Sequence, residues 1–161
     1  MSIPANNASC SATNRIVAND NLSERDRTID ILARTLWGEA RGETVRGKEA
    51  VCAVILNRVN RAHRKGRYWW GNDIAEVCTK PYQFACWNKS DPNRRKVMAV
   101  TMENRAFRTC LRIAEKAVHG GLDDPTSGAT HYHTRAVSPP WSRGRRPAAE
   151  IGRHLFYNDV E

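Results

Sequence analysis

No run in this chain is apolar over the ~20 residues needed to cross a bilayer, so no transmembrane segment is expected. The first 21 residues, Met1 to Asn21, are polar and rich in asparagine, serine and alanine. They lack the apolar middle of a secretion signal and read as a disordered tail over 1–22. No internal repeat and no second domain can be found in residues 23–161. The cysteine and histidine spacings carry no strong zinc signature. The basic residues are scattered, and no recognised nucleic-acid motif lies among them.

What is present is the composition of an ordinary soluble domain, with 40% hydrophobic and 27% charged residues in 161, long enough to bury a core without staples. Acidic side chains are the scarcer sign, 17 against 26 basic ones, for a formal charge of +9 at pH 7. That excess points to an anionic partner, either nucleic acid or a surface polymer such as bacterial wall with its peptide carboxylates. It also serves solubility alone. Five cysteines are an odd count. Cys10 lies in the tail, and Cys52 and Cys110 fall on apolar stretches where a small buried hydrophobe is the default. Cys78 and Cys86 flank the turn-like Thr79-Lys80-Pro81-Tyr82 and could close a short disulfide worth roughly 2–3 kcal/mol in an oxidising compartment.

Ser23 with Asp26 three residues on is a capping-box start. Ile29, Leu32, Ala33, Leu36, Trp37 and Ala40 follow at the spacing of an amphipathic helix. Residues 44–62 read as a second helix whose run Ala50–Leu56 is apolar all round, the pattern of a buried central helix. Of the adjacent Trp69 and Trp70, one should point outward. Asn72 or Asp73 caps a short helix through Cys78. Asp91-Pro92 opens a further helical region, interrupted near Thr101–Asn104 and ended by Gly120-Gly121. Thr130–Thr134 and Ile151–Tyr157 are short, aromatic and histidine-rich, and suit a small sheet. The fold class expected is mainly α, with a small β-hairpin or sheet near the C-terminus.

The most informative stretch is Leu36-Trp37-Gly38-Glu39-Ala40-Arg41-Gly42-Glu43. Glu39, between Gly38 and Ala40, has no bulky sequence neighbour to bar another molecule. Trp37 offers an apolar wall that raises a carboxyl pKa, or a face for a sugar ring. A carboxylate at a helix C-terminus meets the negative end of the dipole, which also pushes its pKa up. The same residues suit a plain helix end with solvated glutamates. Together with Ala50-Val51 and Val54-Ile55-Leu56-Asn57-Arg58-Val59, this pattern resembles the opening of the SleB-type cell-wall hydrolases, the spore-cortex-lytic enzymes. Gln83-Phe84-Ala85-Cys86-Trp87, Gly128-Ala129-Thr130-His131-Tyr132, Pro140-Trp141 and Ile151-Gly152-Arg153-His154-Leu155-Phe156 follow in the family's order, so the resemblance spans residues 28–157. It implies a lysozyme-like domain that cuts peptidoglycan glycan strands, with the catalytic glutamate at Glu39.

Glycoside cleavage requires an acid at the leaving oxygen and, in two-carboxylate enzymes, a second group across the bond. Glu43, four residues from Glu39, would share its helical face and is the poorer nucleophile; positioning a backbone or an arginine suits it better. A one-glutamate route is therefore expected, as in lytic transglycosylases, where the sugar's own 6-hydroxyl attacks and leaves a 1,6-anhydro end; attack by water is the variant. Glu43, Gln83, Phe84, Trp87, Tyr132, His131 and Trp141 are the expected substrate contacts, although Phe84 and Trp87 equally suit a core and His131 a hydrogen-bonded interior site. His131 and His133 share one strand face and Tyr132 takes the other. With Cys86 or Asp124 the histidines would make a zinc amidase or peptidase, the rival enzyme class; a basic nucleic-acid-binding domain is the non-enzyme rival, and a wall-binding module without activity would have no need of Glu39. The expectation is a monomer that needs no metal or cofactor, binds no nucleic acid and acts on anionic wall. Without a secretion signal it would reach the wall after pore-assisted release, as endolysins do, or as part of a virion.

If the positive charge drives attachment, affinity for purified wall falls as salt rises, because screening shortens to ~8 Å at physiological ionic strength. A sedimentation assay across a salt series measures this; salt-independent binding would make aromatic stacking the main attraction.

Overall fold

The computed structural model describes residues 23–160; the expected tail lies outside the described residues. Five α-helices and a three-stranded antiparallel sheet make up the domain: α1 (Glu24–Ala40), α2 (Val45–Arg64), α3 (Ile74–Thr79), α4 (Asn93–Ala99), α5 (Arg105–Val118), β1 (His131–Thr134), β2 (Ala149–Ile151) and β3 (His154–Tyr157). Two single-turn 3-10 helices, Ala85–Trp87 and Pro140–Ser142, interrupt the loops.

Each helix begins where a side chain can satisfy its free amides. Ser23 and Asp26 form the reciprocal capping box of α1, Thr44 Oγ1 accepts the Gly47 amide at α2, and Asp73 Oδ1 accepts that of Glu76 at α3. Asn104 explains the break in the third helical region. Its Oδ1 takes the Phe107 amide at 3.0 Å and the Trp37 indole N–H at 3.2 Å, so α5 starts afresh while docked on α1.

Of the run Ala50–Leu56 in α2, Ala50–Ile55 is buried on every side as its pattern predicts, while Leu56 is only partly buried. The centre is shared with α1, which packs on α2, α3, α4 and α5, most extensively on α5. Leu32, Leu36, Val51, Val54, Ile55, Val77 and Val97 are fully enclosed between them. Trp70 is buried and its neighbour Trp69 is 63% exposed, as two adjacent residues on one segment must divide.

The sheet has the order β1-β3-β2. Tyr132 pairs with Phe156, and Ile151 with His154. The stretch 151–157 is thus not one strand but the end of β2, a turn at Gly152-Arg153, and β3. The turn exists because of Gly152, whose φ is +58° and where a Cβ would lie 2.2 Å from Glu43 Oε2. Glu43 is enclosed there. Arg153 Nε donates to its Oε1 at 2.7 Å, and the Lys48 ammonium, itself buried, donates to its backbone carbonyl. Burial alone would raise the Glu43 pKa; hydrogen bonds from the Arg153 side chain and amide, with the charge of His154, outweigh it and hold the group below 4.5.

The expected Cys78–Cys86 disulfide does not form; Cys52, Cys78, Cys86 and Cys110 are free and buried. Both thiols of the candidate pair are already committed to α1, Cys78 beside Thr35 and Cys86 beside Gly38 and Glu39. Burial pushes the Cys78 thiol up to about 12 and Cys110 to about 11, so neither is a reactive thiolate at neutral pH.

Gly152→Ala should lower stability by about 1–3 kcal/mol, the usual cost of a side chain in the left-handed region, with the clash against Glu43 adding to it. Thermal unfolding measures the loss. Because the Glu43 pKa is lowered on folding, its stabilisation is complete above 4.5 and disappears as pH falls through the lower folded value. Glu43→Gln should therefore flatten the acid limb of the stability–pH curve.

Candidate active site

Glu39 stands in the last turn of α1, its carboxyl half-buried. Across from it, Tyr132 projects from β1 and donates its hydroxyl to Glu39 Oε2 at 3.0 Å. The Tyr132 ring is held by His154, centroid to centroid 5.1 Å, and by Phe156 at 5.8 Å. The thiol and backbone amide of Cys86 face the carboxylate from the 3-10 turn. That approach depends on Gly38, where a Cβ would sit 2.8 Å from Cys86 Cβ and 3.1 Å from Val97 Cγ2. Helix, turn and strand therefore converge on a single carboxyl group.

Burial is the largest influence on that carboxyl and raises its pKa above 4.5; the hydrogen bonds from Tyr132 and Cys86 pull the other way, and the negative charge of Asp91 adds a small upward push. The direction is that of the sequence expectation, and loss of water around the carboxyl, one of the two causes expected, is the main one. Trp37 takes no part as a sugar face: it is 7% exposed, its indole N–H is given to Asn104, and the Arg41 guanidinium lies 4.7 Å over its ring. Tyr132 remains protonated, because burial and the neighbouring Glu39 charge raise its pKa well above 10.0.

The group that sequence reasoning passed over is Arg58. It is buried in α2 under Trp70 and Phe84, with ring centroids 5.4 Å from its guanidinium carbon. Its Nε donates to the Thr130 carbonyl at 2.8 Å and its Nη1 to Gln83 Oε1 at 2.5 Å. Gln83 returns its amide N–H to the Trp70 carbonyl, and the Trp70 indole donates to the Arg58 carbonyl at 3.0 Å. The available signal was an arginine at helical spacing from Val51, Val54 and Ile55, hence on the buried face of α2, since such a charge is retained only when its donors are satisfied.

Of the residues singled out from sequence, the structure gathers Glu39 and Tyr132, with Trp87 one position beyond Cys86. Phe84, 2% exposed, is core rather than a cleft wall. Gln83 spends both ends of its amide inside the Arg58 network, and Glu43 is closed in against Arg153, so neither presents a free group to a sugar. Trp87 is half-buried with its indole N–H on Thr35 Oγ1 at 2.9 Å. It lines a concavity of about 370 Å³ together with Tyr82, Asn88 and Lys89. Tyr82, 89% exposed at a φ of +66°, was not anticipated; a tyrosine beside Pro81 was its only trace.

His131 and Trp141 lie on the opposite face of β1 from Tyr132. His131 sits 5.2 Å and His133 5.6 Å from the Trp141 ring. Burial, then the charges of Arg58, Arg61 and Arg145, lowers the His131 pKa to about 4, so it is neutral at working pH and packs as an aromatic. The donors a zinc reading needs are dispersed. His133 Nε2 meets the Tyr157 hydroxyl, Asp124 caps the loop before β1 through Thr126, Gly128 and Asn57, and Cys86 faces Glu39. Among the described residues no three His, Cys, Asp or Glu side chains are grouped to hold a metal.

Comparison with solved structures finds this fold in the catalytic domain of the germination-specific lytic transglycosylase SleB from Bacillus anthracis. The TM-score is 0.60 at 28% identity, covering 85% of this chain and 97% of that one. The catalytic domain of the Bacillus cereus SleB protein gives 0.61, also at 28% identity, covering 85% and 92%. Among curated sequences, the spore cortex-lytic enzyme of Halalkalibacterium halodurans is 29% identical over 136 residues, covering 83% of this chain and 35% of the relative; that of Bacillus subtilis is 29% identical over 131 residues, covering 80% and 36%. The chain thus spans little more than a third of these two relatives. The model of the cell wall hydrolase family matches residues 42–157, starting just after Glu39, so the case for that residue stands on its geometry. With residues 42–157 matched, well over half of the chain, this chain belongs to the cell wall hydrolase family.

Proposed function

We propose that this domain cleaves the glycan strands of peptidoglycan with Glu39 as its one acid and base, by lytic transglycosylation. The observation that carries the reading is the state of that carboxyl: burial holds its pKa up, and the Tyr132 hydroxyl on Oε2 fixes its orientation, so a protonated acid is kept in place. Glu43, the other glutamate of the motif, is locked to Arg153 and is not available as a nucleophile. The kinship with a Bacillus anthracis lytic transglycosylase supports the same reaction.

In this mechanism Glu39 gives its proton to the glycosidic oxygen as the bond from the anomeric carbon breaks, and the alcohol leaves. The carboxylate so formed is favoured by the Tyr132 hydroxyl and Cys86, which turns the acid into a base. It removes the proton of the sugar's own 6-hydroxyl, whose oxygen closes on the anomeric carbon. No water is consumed, and Glu39 ends protonated. Tyr82 and Trp87, beside the concavity on the Cys86 side, give a strand two rings on which to stack.

Glu39→Gln should lower cleavage by about 10²–10⁴-fold while folding and wall binding persist, measured by turbidity loss of a wall suspension and by circular dichroism. Full clearance by this variant would remove the basis of the reading. Because the Glu39 pKa is raised by folding, its contribution favours the folded state at low pH and is lost as pH rises through the folded pKa. The same substitution should therefore raise the melting temperature at neutral pH. Products should carry 1,6-anhydromuramic ends by mass analysis; reducible ends throughout would keep Glu39 as the acid and assign the attack to water.

Tyr132→Phe removes a donor that favours the carboxylate. The pKa of Glu39 should rise further, so the high-pH fall in activity moves to higher pH in this variant. An unmoved limb would mean that Tyr132 has no hold on the acid.

A further inference from the structure

A second concavity of about 640 Å³ shares Lys89 with the Trp87 concavity and is lined also by Asp91, Arg94, Arg95 and Met98. The outer face of α4 builds it. Arg94, Arg95 and Met98 point to the hollow, while Val97 on the inner face is fully buried and lies against Gly38. Arg41 Nη2 at the end of α1 donates to Asn93 Oδ1 at 3.1 Å, so with Val97 against Gly38 the start of α4 is fixed to the turn of α1 that carries Glu39.

The charges of the hollow are not closed on one another. Arg34, Arg135, Arg145 and Arg153 each have an acidic partner, whereas Lys89, Arg94 and Arg95 form no ion pair among the described residues. Arg94 Nε is shut off from solvent with no acceptor. Asp91 turns Oδ1 to the Asn93 amide at 2.7 Å instead of to these cations. The outer nitrogens of the Arg94 guanidinium, on a half-buried side chain, are the donors that an occupant of the hollow can reach.

We propose that Lys89, Arg94 and Arg95 bind the carboxylates of the peptide stems borne by the strand being cut, so that the enzyme selects stem-bearing over bare glycan. This rests on the glycan-cleaving reading above. A strand lying past Glu39 carries its stems on the muramic sugars, and the hollow is placed to receive one. The guanidinium fork matches a carboxylate in two parallel hydrogen bonds, and Met98, 54% exposed, offers an apolar surface to the stem's alkyl groups. Asp91 argues for a stem rather than a phosphate polymer: a stem brings an amine along with its acids, while an all-anionic chain meets repulsion there.

Soluble glycan strands with intact stems, and the same strands stripped by an amidase, distinguish the cases. In a Glu39→Gln background, binding is measured without cutting, and stems should improve affinity about tenfold. Adding Arg94→Ala and Arg95→Ala should bring stem-bearing strands down to the affinity of stripped ones. Equal affinity of the parent for both strands, or an undiminished preference in the triple variant with an unchanged melting temperature, overturns the proposal. So does competition by a glycerol-phosphate polymer that equals or exceeds competition by free stem peptide at matched charge. Should the alanines disturb folding, Arg94→Lys with Arg95→Lys keeps the charge and loses the fork; the preference should then shrink, and an intact preference overturns the proposal. Anhydro ends released by the unsubstituted enzyme report separately on the reaction, so its failure is not confused with failure of stem recognition.

Discussion

A guanidinium buried in an apolar interior is tolerated only if its donors find acceptors, and that constraint on Arg58 assembles the rest of the site. Arg58 belongs to α2, and its partners come from elsewhere: Gln83 from the loop before the 3-10 turn, Thr130 from the entry to β1. Satisfying one charge brings three chain segments together. Residues adjacent in sequence to those partners then have little freedom. Cys86 follows three positions after Gln83 and Tyr132 two after Thr130, and both arrive at Glu39. Trp70 and Phe84 close over the cation and keep water from offering it other partners.

The carboxyl at the centre has opposed demands placed on it. Burial penalises its charge, as an acid catalyst requires, and lowers stability at neutral pH, as any desolvated carboxylate does. Tyr132 and Cys86 moderate the penalty without cancelling it. A site of this kind departs from the stability optimum for the sake of chemistry. Glu43, only one helical turn along the sequence, is resolved in the opposite direction by Arg153 and sits below its ordinary pKa. Two glutamates of one motif thus acquire separate tasks from their surroundings alone.

Much of the helical framework was legible because local chemistry governs it. The Ser23–Asp26 box, the apolar circuit of Ala50–Ile55 and the interruption before Asn104 each follow from nearest-neighbour effects. The sheet was legible in composition but not in register, since the run from Ile151 to Tyr157 conceals a turn that only the Gly152–Glu43 approach demands. The disulfide expectation treated Cys78 and Cys86 as facing each other across a loop, whereas each faces α1, a partner far away in sequence. Gln83 reads from sequence as a cleft residue and Phe84 as cleft or core, because polar and aromatic types serve both; the buried Arg58 decides between those uses. Motif order pointed to Glu39, but neither its tyrosine partner nor the Cys86 contact can be extracted from spacing.

The Tyr132 hydroxyl is a contact between two layers: it leaves the sheet and ends on the helix that carries the acid. Glu39 therefore senses how firmly the sheet is seated on the helical layer, since any lifting of β1 withdraws a donor and admits water at the same moment. Those two changes act on its protonation with opposite sign. The seating of the sheet on the helices is therefore part of what sets the protonation of Glu39, and a change in β1 far from the carboxyl reaches it through one hydroxyl.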